Sequence, residues 1–145
     1  MQNTEIDVLL VEDNAEDAEL TIRALKKNNL PMNLLHLKDG AEALDFIFCK
    51  GAYADRTFDT KPKIILLDLK MPKVNGMEVV KKIKSHEETK SIPIVVLTSS
   101  KEDPDIEKCY SLGANSYIVK PVGFDNFTKA VSELGMYWLS LNTPK

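Results

Sequence analysis

Short, unbroken apolar runs constrain the fold of this chain more than any other feature of its sequence. Four runs are rich in Val, Ile and Leu and do not alternate with polar residues, at 8–11, 64–67, 94–97 and 117–119. A fifth, weaker run covers 34–37 and is interrupted by His36. Strands of a parallel sheet have this composition when helices cover both faces. The pattern therefore predicts five strands of one buried parallel sheet.

The segments between these runs have apolar residues at helical spacing. The stripes are Ala15, Ala18, Ile22 and Leu25; Leu44, Ile47 and Phe48; Met77, Val80 and Ile83; and Phe127, Val131, Leu134, Trp138 and Leu141. Asn14 fits the N-cap of the first helix. Asp103 followed by Pro104 predicts the start of a fourth helix, and Gly113 predicts its end. The last stripe predicts a long final helix, although Gly135 weakens its continuity.

The alternation of strands with helices determines the predicted topology. Right-handed crossovers place such strands in a sheet sandwiched between helices. Five units in 145 residues predict an α/β fold, with a doubly wound five-stranded parallel sheet and helices on both faces. We expect a single domain over 1–145, with its core at about 6–141 and no output domain. The stretch 49–63 has no clear pattern and is interpreted as a family insertion.

Composition and charge argue against several classes of protein. The chain is 43% apolar and 28% charged, as globular domains are. Its formal net charge of −3 argues against broad binding to nucleic acid, although a local basic patch stays open. No apolar run approaches the roughly 20 residues of a membrane span, and the polar N-terminus lacks the regions of a signal peptide. We therefore expect a cytoplasmic protein that does not bind membranes.

Polar side chains follow the predicted strands at the point where each strand ends. Glu12 and Asp13 follow the first strand, Asp68 follows the third, Thr98 the fourth and Lys120 the fifth. Ligands of open parallel sheets bind beyond the carboxyl ends of the strands, where the strand order reverses. If the strand order is 2-1-3-4-5, that point lies between the first and third strands. The three carboxylates are therefore expected to meet there, with Thr98 and Lys120 closing the site.

Three carboxylates at one point repel one another unless one is protonated or a cation lies among them. Oxygen ligands without His or Cys favour Mg²⁺, which is held by one or two carboxylates and leaves positions for water and phosphate oxygens. A carboxylate beside such an ion can attack phosphorus and form an aspartyl phosphate. Each residue taken alone has an ordinary explanation as a turn, cap, strand-end or surface residue. Their occurrence in order, each directly after a buried strand, favours phosphoryl chemistry.

These residues lie in motifs that resemble the receiver domains of two-component response regulators. The motifs are Val-Glu-Asp-Asn at 11–14, Leu-Asp-Leu-Lys-Met-Pro at 67–72, Asn-Gly at 75–76, Leu-Thr-Ser-Ser at 97–100, Gly-Ala at 113–114 and Val-Lys-Pro at 119–121. The resemblance covers about 6–141 and implies the CheY-like fold, a sheet of strand order 2-1-3-4-5 with helices on both faces. It also implies that the chain accepts a phosphoryl group from a sensor histidine kinase. The signal would then be a change in the surface of the fourth helix, fifth strand and fifth helix.

The resemblance implies a role for each matching carboxylate. Asp68 would be the phosphoacceptor. Asp13, Asp68 and the backbone carbonyl of Lys70 would ligate Mg²⁺ directly, and Glu12 would hold the ion mainly through water. The Lys70 position tends to tune dephosphorylation in receivers, and a Lys there could either shield the phosphoryl group or attract it.

The resemblance also implies how the phosphorylated state is sensed. Thr98 and Lys120 would contact the phosphoryl oxygens. Tyr117 matches the aromatic residue that turns inward when Thr98 moves, although an aromatic residue in a strand is common for packing reasons alone. The peptide bond between Lys120 and Pro121 is expected to be cis, as in similar receivers.

A narrower resemblance is to stand-alone receivers paired with phytochrome-like histidine kinases. It depends on the stretch 49–63 and on the aromatic-rich segment 136–139. It implies a kinase partner of that type and a homodimer through the fourth helix, fifth strand and fifth helix. The alternative is that Trp138 and Leu141 simply pack on their own core.

Three other classes of protein compete with this interpretation. A phosphatase with a strand-end Asp nucleophile needs a second Asp two residues later, where this chain has Lys70. A flavin-binding electron carrier needs a Gly- and hydroxyl-rich loop after the first strand, where this chain is acidic, and no nucleotide-binding glycine motif occurs. An inactive receiver that acts only as a protein-binding module is opposed by the complete acidic site. We therefore expect a phosphoacceptor that assists its own phosphorylation and dephosphorylation, and not a conventional enzyme.

Overall fold

Five parallel strands form the sheet at the positions of the apolar runs. The computed structural model describes residues 6–27, 32–57, 61–71 and 74–135. The strands are β1 (Val8–Val11), β2 (Leu34–Leu37), β3 (Ile64–Asp68), β4 (Ile94–Thr98) and β5 (Ser116–Val119). Their order is β2-β1-β3-β4-β5, and every neighbouring pair is parallel. β3 and β4 each extend one residue beyond the apolar run, to Asp68 and Thr98.

Helices alternate with the strands and cover both faces of the sheet. They are α1 (Ala15–Lys26), α2 (Gly40–Ile47), α3 (Gly76–Lys84), α4 (Asp105–Leu112) and α5 (Phe124–Glu133). Buried side chains of α1 and α5 pack on one face, and those of α2, α3 and α4 pack on the other. The predicted α/β fold and its strand order are therefore confirmed. Within the described ranges, none of the helices is long and apolar enough to cross a membrane.

Burial on both faces explains why the apolar run of β1 is unbroken. All four of its residues are fully buried. Leu9 and Val11 belong to the core beneath α2, α3 and α4, whereas Val8 and Leu10 belong to the core beneath α1 and α5. Burial of each such side chain contributes roughly 1.5–3 kcal/mol. β2 lies at the edge of the sheet and is half-buried over three of its four residues, which accounts for its weaker pattern.

The start of α4 differs by one residue from the prediction. The helix is assigned from Asp105, and Pro104 before it already has helical dihedral angles. Asp103 Oδ1 accepts a hydrogen bond from the Asp105 N–H at 2.9 Å, so the predicted capping role of Asp103 is confirmed. The predicted end at Gly113 is confirmed, since its φ of 115° is a left-handed conformation that ends a helix.

The end of the last helix also differs from the prediction. α5 ends at Glu133, and Gly135 has a φ of 74°. A left-handed residue stops the helical hydrogen-bond pattern, so a single continuous helix through Gly135 is wrong. The predicted contacts of Trp138 and Leu141 lie outside the described residues.

The described part of the stretch 49–63 packs against the end of α2. It contains a 3-10 turn at Gly51–Tyr53. The Arg56 guanidinium lies 3.7 Å from the centroid of the Phe46 ring and donates to the Phe46 carbonyl oxygen. The Tyr53 ring packs edge-on against the same ring, with centroids 5.2 Å apart. The interpretation of this stretch as a family insertion stays a prediction.

Candidate functional site

Strand ends bring the predicted site residues to one edge of the sheet. Glu12 and Asp13 directly follow β1, Asp68 is the last residue of β3, and Lys120 directly follows β5. The Lys120 N–H donates to the Thr98 carbonyl oxygen at 2.7 Å, which fixes the start of its loop on the end of β4. The Lys120–Pro121 peptide bond is cis, as the resemblance implies. The backbone therefore presents these side chains from fixed positions.

Three carboxylates converge at the predicted point between β1 and β3. Glu12, Asp13 and Asp68 each place a carboxylate oxygen within 4.8 Å of the other two. Glu12 is fully buried and Asp68 is 4% exposed, whereas Asp13 faces solvent. The cluster is thus buried at its base and open at Asp13. A small ligand can reach it from solvent on that side.

This donor set fits a hard divalent cation. All three ligand atoms are carboxylate oxygens, which Mg²⁺ and similar ions prefer over softer metals. Two of the three carboxylates are almost completely removed from water, so their mutual repulsion is poorly screened. A cation among them removes that repulsion. Asp13, at the solvent side, leaves room for the water ligands that Mg²⁺ keeps.

The Lys120 ammonium partly compensates this negative charge. Its Nζ lies 3.0 Å from Asp17 Oδ2, 3.3 Å from Glu12 Oε1 and 3.4 Å from Asp68 Oδ1. Burial alone lowers the pKa of Lys120, but the hydrogen bond to Asp17 and the charges of Asp68 and Glu12 outweigh burial and raise that pKa to about 12. Lys120 is therefore a permanent cation of the site.

Asp68 stays electrostatically unfavourable in spite of this ion pair. Burial and then the neighbouring charge of Glu12 raise the pKa of Asp68 to about 7, while Lys120 and the Lys70 N–H lower it less strongly. The ion pair raises the pKa of Lys120 but does not lower that of Asp68 below its ordinary value. The reason is that three carboxylates share the one Lys120 ammonium. Without a cation, Asp68 is poised between its protonated and ionised forms at neutral pH.

Thr98 lies at the same edge but directs its hydroxyl into its own loop. The residue is 2% exposed. Its Oγ1 lies 3.1 Å from the Ser100 carbonyl oxygen and 3.2 Å from Asp103 Oδ2, both of which can accept its proton. The hydrogen bonds of Thr98 therefore hold the loop between β4 and α4. They do not connect Thr98 to the cluster of Glu12, Asp13 and Asp68.

Lys70 is placed at the mouth of the site. Its backbone N–H lies 3.4 Å from Asp68 Oδ1, a long hydrogen bond. Its side chain is 71% exposed and its ammonium lies 3.9 Å from Asp105 Oδ2. The side chain therefore reaches from the end of β3 toward the start of α4. The predicted role of its carbonyl oxygen as a metal ligand stays a prediction.

Tyr117 lies on β5, next to the strand that carries Thr98. It pairs with Val96 in the sheet register, so it faces the same side as Thr98, two residues further along β4. It is half-buried, and its ring lies 6.4 Å from that of Tyr110 on α4, at an interplanar angle of 76°. The position links the site to the surface of α4, and the switch role stays a prediction.

Two carboxylates that contact site residues were missed by the sequence analysis. Asp17 accepts a hydrogen bond from the Lys120 ammonium, and Asp103 accepts one from the Thr98 hydroxyl. An acidic residue in the first helical turn is already explained by the helix dipole, and an Asp before Pro is already explained as a cap. Because each residue already had an ordinary explanation, nothing in the sequence indicated its contact with the site.

The sequence is similar to known regulatory proteins over most of its length. Residues 8–132 match the response regulator receiver domain family. The probable methanogenesis regulatory protein FilR2 of Methanothrix harundinacea is 40% identical over 135 residues, which are 93% of this chain and 84% of that protein. The response regulator Rcp1 of Synechocystis sp. is 36% identical over 136 residues, which are 94% of this chain and 90% of that protein.

Solved structures show the same similarity in three dimensions. The bacteriophytochrome response regulator AtBRR is 44% identical with a TM-score of 0.84, and the match covers 93% of this chain and 96% of that one. The Mn²⁺-bound form of Rcp1 is 35% identical with a TM-score of 0.74, covering 97% and 99%. The phosphorylated cyanobacterial phytochrome response regulator RcpA is 36% identical with a TM-score of 0.75, covering 94% and 96%.

Proposed function

The chain belongs to the response regulator receiver family of two-component signalling, and from this premise we propose that it accepts a phosphoryl group on Asp68 in an Mg²⁺-dependent reaction. One observation carries the proposal. Three carboxylates converge within 4.8 Å at the end of β3, and the Lys120 ammonium lies 3.4 Å from Asp68. A bound cation and an ammonium around one buried carboxylate are the parts that phosphoryl transfer to that carboxylate requires. The similarity to RcpA, a response regulator solved in phosphorylated form, supports phosphorylation of this chain.

Asp68 is the nucleophile in the proposed reaction. One of its carboxylate oxygens attacks the phosphorus of a phosphohistidine on the kinase, the P–N bond breaks, and its electron pair returns to the imidazole, which takes up a proton from water. The products are an aspartyl phosphate and a neutral histidine. The chain supplies much of the catalysis for this step and for the later hydrolysis, so it promotes its own phosphorylation and dephosphorylation and is not a conventional enzyme.

Other residues of the site would hold the metal and neutralise charge. Asp13, Asp68 and the backbone carbonyl of Lys70 would ligate Mg²⁺, with Glu12 holding it mainly through water, and the bound ion would supply charge neutralisation on the transferring oxygens. The Mn²⁺-bound relative Rcp1 supports a divalent cation here. Lys120 would neutralise a second phosphoryl oxygen, since its raised pKa keeps it charged.

The signal would leave the site through Thr98. For its hydroxyl to donate to a phosphoryl oxygen, Thr98 must give up its hydrogen bonds to Ser100 and Asp103. Tyr117 would then turn inward, and the surface formed by α4, β5 and α5 would change. A partner that prefers the changed surface reads the signal.

The partners proposed for the chain are a sensor histidine kinase and a second copy of itself. Similarity to AtBRR and RcpA supports a phytochrome-like kinase as the phosphoryl donor. We infer a homodimer through α4, β5 and α5, the same surface that the switch would change. Binding to nucleic acid is not part of the proposal, in keeping with the net charge of −3.

The direct test is the intact mass of the protein after incubation with acetyl phosphate. We expect one phosphoryl adduct with Mg²⁺, none with excess EDTA, and none in Asp68→Asn. Asp55→Asn, which changes an exposed carboxylate in the stretch 49–63, is the matched control and should form the adduct normally.

Some receivers do not react with small donors, so the second arm uses beryllofluoride, which mimics the phosphoryl group. An Mg²⁺-dependent complex, detected by ¹⁹F NMR, is expected for the protein and not for Asp68→Asn. Failure of both arms would contradict the proposal and favour an inactive receiver that serves as a protein-binding module.

A further inference from the structure

The closest partner of the Lys120 ammonium is a residue that lies outside the carboxylate cluster. Asp17 Oδ2 is 3.0 Å from Lys120 Nζ, whereas the Asp68 oxygen is 3.4 Å away. Asp17 is not a member of the group of carboxylates that converge within 4.8 Å among the described residues. The ammonium is thus shared between the cluster and a carboxylate on the neighbouring helix.

The position of Asp17 is fixed by the start of α1. The Asp17 N–H donates to the Asn14 side-chain oxygen at 2.8 Å, and the Ala18 N–H donates to the Asn14 carbonyl oxygen at 2.9 Å. Ala18 and Thr21 on the same helix are buried, so this part of α1 is anchored on the sheet. The backbone at Asp17 is therefore held in place by the packing of α1, and its carboxylate attracts Lys120 from that position.

We propose that Asp17 is a positioning residue that holds the Lys120 ammonium on the α1 side of the site until a phosphoryl group is bound. The inference rests on the proposed function, because it concerns how Lys120 is delivered to that group. Asp17 and Asp68 compete for one ammonium, and a phosphoryl group on Asp68 adds charge that shifts the competition toward Asp68.

Removal of the Asp17 charge has two opposite consequences. Without it, Lys120 is attracted only by Glu12 and Asp68, so it moves into the cluster and opposes the entry of Mg²⁺. In the same variant, a phosphoryl analogue on Asp68 no longer competes with Asp17 for the ammonium and is no longer repelled by its charge. Binding of the metal weakens while binding of the analogue tightens. A residue that only stabilised the fold would change both in the same direction or leave both unchanged.

The test compares Asp17→Asn with Glu16→Gln in the full-length protein. Glu16 lies in the same helical turn, is exposed, and controls for loss of one negative charge near the N-terminus of α1. Mg²⁺ affinity is measured by amide NMR titration. Beryllofluoride affinity is measured by ¹⁹F NMR at saturating Mg²⁺, so that the first effect does not enter the second.

For Asp17→Asn we expect Mg²⁺ to bind roughly two- to five-fold more weakly and beryllofluoride roughly two- to five-fold more tightly, as befits a partly exposed ion pair. Glu16→Gln should match the wild type. Asp17→Glu keeps the charge and should restore both affinities. Shifts of the two affinities in the same direction, or a result equal to that of Glu16→Gln, would overturn the inference. If the wild type binds no beryllofluoride at all, the proposed function itself fails, and this outcome is distinct from failure of the Asp17 variants alone.

Discussion

The site consists of two halves that are built in opposite ways. The acid half, formed by Glu12, Asp13, Asp68 and Lys120, stands on the ends of β1, β3 and β5. The hydroxyl half, formed by Thr98, Ser100 and Asp103, stands on the end of β4 and in the loop that leads to α4. The acid half holds unbalanced charge in a buried place, and the hydroxyl half satisfies its own hydrogen bonds in an exposed loop.

The difference bears on which half would rearrange in the proposed phosphorylation. In the acid half, the pKa of Asp68 is raised to about 7 by burial and by Glu12, so a cation is favoured without any change of backbone. In the hydroxyl half, Thr98 has two acceptors within 3.2 Å and gains nothing from leaving them until a stronger acceptor is present. In the proposed function, the carboxylate cluster is therefore preformed, and the loop that holds Thr98 is the part that would change its arrangement.

The largest effect is expected from breaking the acid half at Asp13, one of the proposed metal ligands. Asp13→Asn removes the exposed carboxylate of the cluster. We expect Mg²⁺ affinity to fall by roughly 100-fold or more, beyond the loss typical of a residue that only orients a metal ligand. Phosphorylation by acetyl phosphate should fall in parallel at limiting Mg²⁺. Amide NMR titration and intact mass measure the two quantities.

The control for this variant is Asp125→Asn, which removes an exposed carboxylate from the first turn of α5. It should bind Mg²⁺ as the wild type does. Equal Mg²⁺ affinities for Asp13→Asn and the wild type would show that the convergence of carboxylates is not a metal site.

The second effect is on stability and follows from the pKa of Asp68. The metal-free folded protein binds the Asp68 proton more tightly than the unfolded chain, since its pKa is about 7 against an ordinary 3.8. The folded state therefore loses stability as the pH rises from 3.8 to about 7, and the loss is complete above that window. Asp68→Asn removes the charge that causes it.

In EDTA at about pH 8, we expect the free energy of unfolding of Asp68→Asn, measured by urea denaturation, to exceed that of the wild type by on the order of 1–3 kcal/mol. At about pH 4.5 the two free energies should differ little. Saturating Mg²⁺ should close the gap, because the ion neutralises the wild-type cluster. If the free energy of unfolding rose equally at both pH values, the increase would come from packing and not from the removed charge.

Much of the fold follows from the sequence because two-sided burial leaves a strong pattern. Every residue of β1, β3 and β4 is buried, and unbroken runs of Val, Ile and Leu are the direct result. Gly135 shows where that reasoning stops. Its neighbours have apolar helical spacing, yet its left-handed φ ends the helix, and spacing does not report backbone conformation.

The convergence of the three carboxylates was also predictable, whereas the contacts of Asp17 with Lys120 and of Asp103 with Thr98 were not. Glu12 and Asp13 follow β1 and Asp68 ends β3. Because parallel strands end at one edge of the sheet, the convergence of these carboxylates follows from topology. Asp17 and Asp103 lie in a helix and a loop, and their distances to Lys120 and Thr98 depend on the angle at which each element packs. No periodicity in the sequence encodes that angle.

The third effect is expected in the hydroxyl half. Asp103→Ala removes the acceptor of the Asp105 N–H and one of the two acceptors of Thr98. Stability should fall by about 0.5–2 kcal/mol, the usual cost of losing a cap-like hydrogen bond. Because Thr98 is then held only by Ser100, beryllofluoride should bind several-fold more tightly. Urea denaturation and ¹⁹F NMR measure the two changes.

The matched control is Glu102→Gln, an exposed neighbour in the same loop whose N–H bonds the Ser100 hydroxyl. It should leave both quantities unchanged. Weaker beryllofluoride binding in Asp103→Ala would mean that Asp103 supports the active arrangement of Thr98 and not the resting one.

The smallest effect is expected at an ion pair between the segment after β3, next to the acid half, and the start of α4, next to the hydroxyl half. Lys70 follows β3 and Asp105 begins α4, and their charged atoms are 3.9 Å apart with side chains 71% and 35% exposed. A double-mutant cycle with Lys70→Met and Asp105→Asn should give a coupling energy of about 0.2–0.5 kcal/mol in low salt and almost none in about 1 M salt. Urea denaturation measures each variant. Coupling this weak is what the proposed rearrangement of the loop before α4 requires, with the acid half staying in place. A coupling energy above about 1 kcal/mol that persists in high salt would mean that the halves are locked together, and the separation between a fixed half and a mobile half would then be wrong.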